Sequence, residues 1–450
     1  MNSIKVTNFK SIQDSGTFEL RPLTVLAGIN SSGKSSLLQA LLLLKQTMAS
    51  GTTDRLRISG PYVVANTTSD LVRNKKKGGA IGVTLTIDAK NLENGKEYAI
   101  YAPEPHLKMK ELEVNVIISV NGTTELKSLD CYIRYFDSDK EAYIKVRRNA
   151  KSDKLFTVRF TSPLMVGLDD SEKIRKMDEC TLDFHSFIPV FAEWKHHERQ
   201  DTRTLAIMKI VERDLYIHLR SLYYLGPQRV KPELARSYDS IGFEDVGIEG
   251  ENTRFVYEQN KNVEMDGYDH GETLQALCNY WICQKMRLAR SMDVQRDANK
   301  LFRTIITNND GLAVDLCQMG FGLSQILPIV VQGLTLYKDG TLIVEDPDVH
   351  MHPNVQALLM DFFIDLVKHG RRVVIETHSD HIVTRLRRRI ADGTISAEDV
   401  NLTFVENSEE GSVYRFIGVE RDGSFANELP EGFLDALEND FMAIIAQRTT

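Results

Sequence analysis

The sequence predicts an α/β fold: a mixed sheet flanked by helices, with an antiparallel β lobe and an inserted helical region. Three observations support this prediction. A glycine-rich loop stands between an apolar run and a leucine-rich stretch near the start of the chain, short alternating runs fill residues 83–160, and strand patterns alternate with helical patterns after Val314. Strand–helix alternation is typical of a largely parallel sheet, whereas short alternating runs between turns are typical of antiparallel hairpins.

The composition is that of an ordinary globular chain. Its 450 residues, 42% of them hydrophobic and 26% charged, are enough for two or three domains. The formal net charge of −8 gives no overall attraction to nucleic acid. We expect a cytoplasmic protein without a membrane span, because no apolar stretch reaches about 18 residues and the start does not read as a signal peptide. The spacing of the five cysteines predicts reduced thiols.

The elements can be predicted in order along the chain. Alternation in "SIKVTNFKSI" and "GTFELRPLTVLAG" predicts strands that lead into the glycine loop, and a helix is predicted at Ser35–Met48. The runs between 83 and 160, "KEYAIYAP" among them, predict an antiparallel meander. Residues of about 170–222 and 271–307 are predicted to be largely helical.

The last part of the chain predicts alternating helices and strands. The predicted helices are Ser324–Tyr337, Asn354–Lys368 and Asp380–Ala391, and the predicted strands are Thr341–Glu345, Arg372–Glu376 and Leu402–Glu406. The predicted division is 1–70 and 311–408 as the two halves of one α/β domain, 71–165 as the β lobe, 166–310 as a mainly helical insertion and 409–450 as a small C-terminal element.

Residues 28–35 match the phosphate-binding loop pattern G-x-x-x-x-G-K-[ST], after a predicted strand and before a predicted helix. Glycines let the backbone turn tightly around phosphates, and the helix N-terminus adds partial positive charge. Lys34 is expected to neutralise the β- and γ-phosphates, and the Ser35 hydroxyl to ligate Mg²⁺. The alternative is a glycine-rich turn with a surface lysine, but the complete motif in its context favours a nucleotide site.

A pair of acids follows the apolar strand in "GTLIVEDPDVHMHP". Carboxylates at the carboxyl end of a parallel strand lie where α/β sheets bind ligands. Glu345 is predicted to hold the Mg²⁺ shell and Asp346 to polarise the attacking water; a solvated strand end or a helix cap is the alternative. His350 and His352 show no third ligand, which argues against zinc.

Two more stretches can contribute to a phosphate site. "QMGFGLSQILPIV" places Gly320, Gly322 and Ser324 before a helix, where backbone N–H groups and a hydroxyl can meet an anion; a capped glycine turn explains the pattern equally well. In "RRVVIETHSDHIV" a predicted strand ends near His378. This histidine can hydrogen-bond a γ-phosphate or the attacking water; the alternative is a purely structural role.

Together, in this order, the four stretches resemble the nucleotide-binding domain of ABC/SMC-type ATPases, and "KVTNFKSI" extends the resemblance to the RecF and SMC-like group. The resemblance implies a P-loop NTPase of ABC/SMC head type. It makes Gly28–Ser36 the Walker A loop, Gly320–Gln325 the signature, Glu345–Asp346 the Walker B acids and His378 the switch histidine. The implied nucleotide-binding residues are Gly28, Asn30, Ser31, Ser32, Gly33, Lys34, Ser35, Ser36, Gly322 and Ser324.

Further details narrow the resemblance. "LGP-R" at 225–229, "GFGLSQ", "DPDVHMHP", "ETHSDHIVTRLRRRI" and "LPEGFLD" are similar to bacterial AAA-type ATPases related to the OLD family, with a small C-terminal domain of unknown function. Such ATPases recur in Septu- and PARIS-like anti-phage defence systems beside a separate nuclease or toxin. The Walker B order is Glu-Asp instead of the usual Asp-Glu, which leaves both Asp346 and Asp348 as candidates for the main catalytic acid.

The resemblance implies ATP and Mg²⁺ as ligands and hydrolysis of ATP to ADP and phosphate. In the family, the signature of one subunit closes over the ATP of another, so one loop and one signature per chain imply a homodimer or a higher homo-oligomer. The expected function is that of a sensor or regulatory subunit of an anti-phage defence complex that controls a separate effector.

The alternative is a RecF-like repair or recombination ATPase acting directly on DNA. Its candidate phosphate contacts are three basic clusters, Lys75–Lys77, Arg147–Arg148 and Arg385–Arg389. DNA-stimulated hydrolysis without a partner would favour this alternative.

Overall fold

The computed structural model describes the chain except residues 52–53, 77, 89–108, 136–137, 150–154, 162–174, 186–187, 191–201, 239–241, 270, 299–300, 429 and 431–450. The chain forms two compact units, and neither is continuous in sequence. The first, called the β unit here, comprises Met1–Leu20, Ser35–Arg220 and Asn407–Tyr414; the second, the α/β unit, comprises Arg21–Lys34, Ser221–Glu406 and Arg415–Thr450. The segments "KEYAIYAP" and "LPEGFLD" lie wholly or largely outside the described residues.

Strands dominate the first 220 residues. They are β1 (Ser3–Phe9), β2 (Ile12–Asp14), β3 (Phe18–Glu19), β4 (Leu23–Gly28), β5 (Gly79–Asp88), β6 (Met109–Val120), β7 (Thr124–Tyr135), β8 (Ser138–Arg148), β9 (Phe156–Thr161), β10 (Arg175–Cys180), β11 (Asp183–His185) and β12 (Ile188–Val190). The helices are α1 (Lys34–Met48) and α2 (Thr202–Arg220), with 3-10 turns at Thr68–Leu71 and Arg73–Lys75.

Helices and strands alternate in the rest of the chain. The strands are β13 (Leu222–Leu225), β14 (Arg236–Ser237), β15 (Ser291–Arg296), β16 (Leu301–Thr307), β17 (Ala313–Asp315), β18 (Thr341–Glu345), β19 (Arg372–Thr377), β20 (Val400–Ser408) and β21 (Gly411–Phe416). The helices are α3 (Thr253–Asn260), α4 (Leu274–Asn279, continued as a π-helix over Tyr280–Lys285), α5 (Phe321–Thr335), α6 (Pro353–Lys368) and α7 (Asp380–Ala391), with 3-10 turns at Leu316–Gln318 and Ala397–Asp399. No helix among the described residues is both long and apolar enough to cross a membrane.

The β unit contains a nine-stranded sheet in the order β10-β9-β8-β7-β6-β5-β1-β2, with β3 also paired to β1. Its strands pair antiparallel, which confirms the predicted meander. Every second residue of β5 is buried, so Ile81, Val83, Leu85 and Ile87 form part of one apolar face.

The first strand lies in a different sheet from the one expected. Ile4 of β1 pairs with Leu85 of β5, so β1–β3 extend the β lobe, and only Arg21–Lys34 of the first 70 residues belongs to the α/β unit. The units therefore do not follow the predicted boundaries at residues 70, 165 and 310. Alternation in "SIKVTNF" indicates a strand, but a local pattern carries no information on which distant strand it pairs with.

Two predicted helical regions also contain strands. Between 170 and 222 the described residues form β10, β11 and β12 before α2, and between 271 and 307 the short α4 is followed by β15 and β16. β15 and β16 bury alternate residues, such as Met292 and Val294, as half-buried strands do. Strands of three to seven residues offer too few repeats for a two-residue period to be separated from a helical one.

The α/β unit is built on the strands β13-β18-β19-β4-β20 of a six-stranded sheet whose last strand is β21. The first five strands are parallel. The predicted strands and helices after Val314 are confirmed to within three residues at each end, and α7 matches its prediction. Leu342, Val344, Val373 and Ile375 belong to a core that also takes in α5 and α6. A smaller sheet, β14-β16-β15 with β17 beside β16, completes this unit.

Close approach of α5 and α6 depends on a glycine, and we expect Gly333→Val to destabilise the protein by about 1–3 kcal/mol through overpacking. A Cβ atom at Gly333 would lie 2.7 Å from Leu366 Cδ1 and 2.9 Å from Phe362 Cζ, both in buried side chains. Denaturant unfolding measures the change. Gly242→Val is the matched control, since a Cβ there meets no atom within 4 Å; equal destabilisation of both variants would contradict the prediction.

Candidate functional site

The glycine loop follows β4 at the centre of the parallel sheet. A Cβ atom at Gly28, whose φ is +148°, would lie 2.3 Å from the carbonyl oxygen of Val405 on β20. Only glycine therefore allows the loop to begin this close to the neighbouring strand. Ser31 and Gly33 also have positive φ, of 60° and 101°. The loop thus turns through left-handed conformations before α1 begins, as a backbone that surrounds an anion does.

Lys34 is buried at the end of this loop, with only 3% of its surface exposed. Its Nζ donates hydrogen bonds to the carbonyl oxygens of Gly28 at 3.0 Å and Ile29 at 2.8 Å. Burial lowers the pKa of Lys34, and the negative charges of Glu376 and Asp346 oppose that shift. The lysine is therefore held by its own loop next to two carboxylates.

The other predicted loop residues have different surroundings. Asn30 and Ser31 are exposed, whereas Ser32 is fully buried and its Oγ has no hydrogen-bond partner among the described residues. Ser35 and Ser36 belong to the β unit. The Ser36 hydroxyl accepts a hydrogen bond from Ser11 Oγ at 3.0 Å.

Three neighbouring strands bring the acids to the same edge of the sheet as the loop. β19 lies between β18 and β4, so Glu345 is in register with Glu376, and Glu376 with Leu26. Glu345 is buried, and its Oε1 accepts a hydrogen bond of 3.0 Å from the Tyr224 hydroxyl. Burial raises the pKa of Tyr224, which keeps it a neutral donor.

Sequence reasoning missed Glu376. It is buried at the end of β19, and its charge acts on Lys34 more strongly than that of Asp346. The available signal was its position two residues before His378 at a strand end, in the same arrangement that singled out Glu345. The middle position of β19 between β4 and β18 is a matter of tertiary structure, and it makes this carboxylate part of the site.

Asp346 and Asp348 differ in their hydrogen bonds. Asp346 has a left-handed backbone with φ of +45°, its N–H donates to the Glu376 carbonyl at 2.9 Å, and its Oδ1 is buried without a hydrogen-bond partner among the described residues. Asp348 Oδ1 accepts a hydrogen bond of 2.5 Å from Thr377 Oγ1. Burial raises the pKa of the Asp348 carboxyl, and the nearby Asp346 adds to the rise. Asp346 is therefore the less engaged of the two acids.

His378 follows β19 and lies within the same charge cluster. Its pKa is lowered by partial burial and then by the positive charge of Lys34, while Asp346, Asp348 and a hydrogen bond to the Gly28 backbone act in the opposite direction. The structure thus brings the predicted histidine, lysine and acids together. A mostly neutral imidazole at physiological pH can both donate and accept a hydrogen bond.

The turn before α5 is a separate feature of the α/β unit. Gly320 is the N-cap of α5 without a side-chain cap, and Phe321 is 43% exposed, with its ring edge-on to His350. Ser324 is buried, and its hydroxyl donates to the Phe321 carbonyl at 2.6 Å. A Cβ at Gly322 would lie 3.3 Å from the His350 carbonyl oxygen. No hydrogen bond among the described residues joins this turn to the glycine loop.

The basic clusters are largely occupied by internal contacts. Each of the following pairs lies within hydrogen-bonding or ion-pair distance: Lys75 with Asp70, Arg147 with Asp130, Arg148 with Asp54, Arg385 and Arg389 with Asp361, and Arg387 with the Gly423 carbonyl. Lys77 lies outside the described residues. Most of these charges therefore already have partners within the chain.

Comparison with known proteins gives one family and a set of distant structures. The model of the family described as "AAA domain, putative AbiEii toxin, Type IV TA system" matches residues 23–384. The curated proteins contain no match. The SMC head domain from Thermotoga maritima is 11% identical, with a TM-score of 0.41, and the alignment covers 93% of this chain and 98% of that one. The Smc head domain bound to the C-terminal domain of ScpA, from Pyrococcus furiosus, is 10% identical, with a TM-score of 0.44 and 99% of each chain covered.

Proposed function

The chain belongs to the family described as "AAA domain, putative AbiEii toxin, Type IV TA system", and from this premise we propose that it binds ATP with Mg²⁺ and hydrolyses ATP to ADP and phosphate. The observation that carries the proposal is the meeting of Lys34 with Glu376 and Asp346 at the carboxyl ends of three adjacent parallel strands. Such an edge is where α/β sheets bind ligands.

The residues present suit a magnesium nucleotide. Two buried oxygens, Ser32 Oγ and Asp346 Oδ1, have no hydrogen-bond partner among the described residues, and a buried polar atom without a partner is costly unless a ligand satisfies it. The phosphates are proposed to lie in the loop, with Lys34 neutralising the β- and γ-phosphates. Glu345 would hold Mg²⁺, which supplies charge neutralisation to the phosphate oxygens when bound.

The proposed chemistry is attack of water on the γ-phosphorus. Asp346 is the favoured residue to polarise the water and accept its proton, because its Oδ1 is not used by the protein. Asp348 is the second choice, since its carboxylate already binds Thr377. His378 is proposed to donate a hydrogen bond to the γ-phosphate or to the water. ADP is the leaving group, and Lys34 compensates the negative charge that develops on its β-phosphate.

Phosphate release by the purified chain tests the activity. With ATP and Mg²⁺ we expect turnover that stops when EDTA removes the metal and that does not require DNA. Absence of both ATP binding and phosphate release, in a chain shown by circular dichroism to be folded, would refute the proposal.

We also propose that ATP closes two copies of the chain into a dimer. One chain carries one glycine loop and one turn at Gly320–Ser324, and the exposed Phe321 with the uncapped start of α5 is suited to cover a second copy's nucleotide. Light scattering should show the mass of 51.1 kDa doubling when ATP is added to a hydrolysis-deficient variant. ADP serves as the control nucleotide, and a mass that stays at the monomer value with ATP would contradict dimerisation.

For its cellular role we propose a sensor or regulatory subunit of an anti-phage defence complex with a separate nuclease or toxin effector. The motif set of the sequence supports this role, and the internal pairing of the basic clusters disfavours direct action on DNA. The tagged chain should be expressed with its genomic neighbours. Co-purification of an effector protein in stoichiometric amount would support the proposal. A homodimer that purifies without a partner, and whose ATP turnover rises with DNA, would instead indicate a repair ATPase that acts directly on DNA.

A further inference from the structure

The motif "LGP-R" has no part in the proposed hydrolysis, yet its arginine reaches the Walker B acids. β13 ends at Leu225, which pairs with Val344, so Glu345 and Asp346 extend beyond the last backbone pair of the two strands. Beyond that pair, the side chain of Arg229 connects its loop to the residues that follow Val344. Its Nη2 donates to the Glu345 carbonyl oxygen at 2.8 Å, and its Nη1 to the Asp346 carbonyl oxygen at 3.1 Å.

The charged guanidinium group of Arg229 is buried, and burial of a charge costs free energy. Arg229 is only 6% exposed, and burial lowers its pKa to about 10 against the opposing charges of Asp346, Asp348 and Glu345. Burying a charge is unfavourable unless nearby charges and hydrogen bonds compensate. Here the compensation comes from the acids of the proposed site together with two carbonyl oxygens.

The same contact helps to hold an unusual backbone conformation. The left-handed φ of Asp346 is uncommon for a residue other than glycine. Such conformations persist only where the surroundings determine them, and they concentrate at functional sites. The Asp346 N–H is bound by the Glu376 carbonyl on one side, and its carbonyl by Arg229 on the other. Both peptide groups that set the direction of the Asp346 side chain are therefore fixed.

The loop that carries Arg229 is itself anchored. Gly226 N–H donates to the Ile248 carbonyl at 2.9 Å, and Val230 N–H donates to the Glu249 carbonyl at 2.8 Å. The arginine thus starts from a backbone that is tied on both sides. A side chain that acts on the orientation of a reacting group needs this kind of rigid support.

We propose that Arg229 is a positioning residue for ATP hydrolysis, which holds the Glu345–Asp346 segment in the orientation that the reaction needs. This inference rests on the proposed ATPase function. The geometry predicts that Arg229 affects the chemical step and leaves nucleotide binding by the loop nearly unchanged, because it contacts the acids and not Lys34.

The test compares Arg229→Lys with Arg371→Lys. Arg371 is a matched control in the same unit, at the opposite end of β19: it is buried and donates to two carbonyl oxygens, those of His369 and Asp266. In Arg229→Lys we expect kcat to fall at least about tenfold, with the Kd for ATP within about threefold of wild type, as for other residues that orient catalytic groups. In Arg371→Lys both constants should stay near wild type. Arg229→Gln, which also loses the charge, should lose more activity than Arg229→Lys.

Hydrogen exchange of residues 341–351 separates failure of this inference from failure of the proposed function. Arg229→Lys should exchange faster there than wild type, and Arg371→Lys should not. If the wild-type chain releases no phosphate, the ATPase proposal falls, and faster exchange in Arg229→Lys alone still supports positioning of the segment. Unchanged exchange, or a kcat equal to that of Arg371→Lys, overturns the inference.

Discussion

Replacement of Lys34 by alanine should weaken ATP binding by about 10- to 100-fold, because a charge-assisted contact to phosphate oxygens contributes about 1.5–3 kcal/mol. Lys34 is buried and held by the carbonyl oxygens of Gly28 and Ile29, so its ammonium group already lies inside the loop. Titration with a fluorescent ATP analogue measures the affinity directly, without requiring turnover.

Lys368→Ala is a matched control for this prediction. Lys368 is an exposed lysine in the last turn of α6, and its loss should leave the affinity unchanged. The free energy of unfolding of both variants should be measured in parallel, since Lys34 also carries internal hydrogen bonds. A folded Lys34→Ala protein that binds ATP as tightly as wild type would exclude the glycine loop as the nucleotide site.

Asp346→Asn should lower kcat by about 100-fold or more while ATP still binds, because removal of a general base typically costs 10²–10⁴-fold. The amide keeps the size of the side chain but cannot accept the proton of the attacking water. Steady-state phosphate release gives kcat, and ATP-dependent mass by light scattering shows whether the variant accumulates as the proposed closed dimer.

Two further variants make this prediction specific. Asp348→Asn tests the competing acid, and it should cost less activity because Asp348 is already engaged by Thr377. Asp310→Asn, at an exposed aspartate outside the site, should behave as wild type. If Asp346→Asn turns over ATP at the wild-type rate and Asp348→Asn does not, the base is Asp348, and the assignment made here is wrong.

The contrast between elements that were predicted well and poorly has a physical basis. α7 matches its predicted bounds to the residue, and the structure shows that its end signals are local: Ser379 caps the first turn by accepting a hydrogen bond from the Ile382 N–H, and Arg388 and Arg389 lie in the last turn. β15 and β16 were predicted as helix, since their alternation spans only six and seven residues. A long periodic segment can be assigned from its own hydrophobic pattern, whereas a short strand obtains much of its stability from partner strands elsewhere in the chain.

The residues of the candidate site also fall into two groups, those recognisable from a local motif and those that only the strand order brings into the site. Lys34, Glu345, Asp346 and His378 were all found from motifs, because each stands at a strand end or in a glycine loop that can be recognised locally. Glu376 and Arg229 were not assigned a role. Their place in the site follows from the strand order β13-β18-β19-β4, which brings residues from four separate segments to one edge.

By itself, the sequence determined the glycine loop, the acids at the end of β18 and the α/β class, because backbone freedom, charge and hydrophobic period are properties of short segments. Only the tertiary structure decided that β1 joins the antiparallel sheet, that the charge of Glu376 acts on Lys34 and that Arg229 donates hydrogen bonds to the carbonyls of Glu345 and Asp346. Strand pairing and the burial of charge depend on residues far apart in the chain, and their energies arise only once those residues meet.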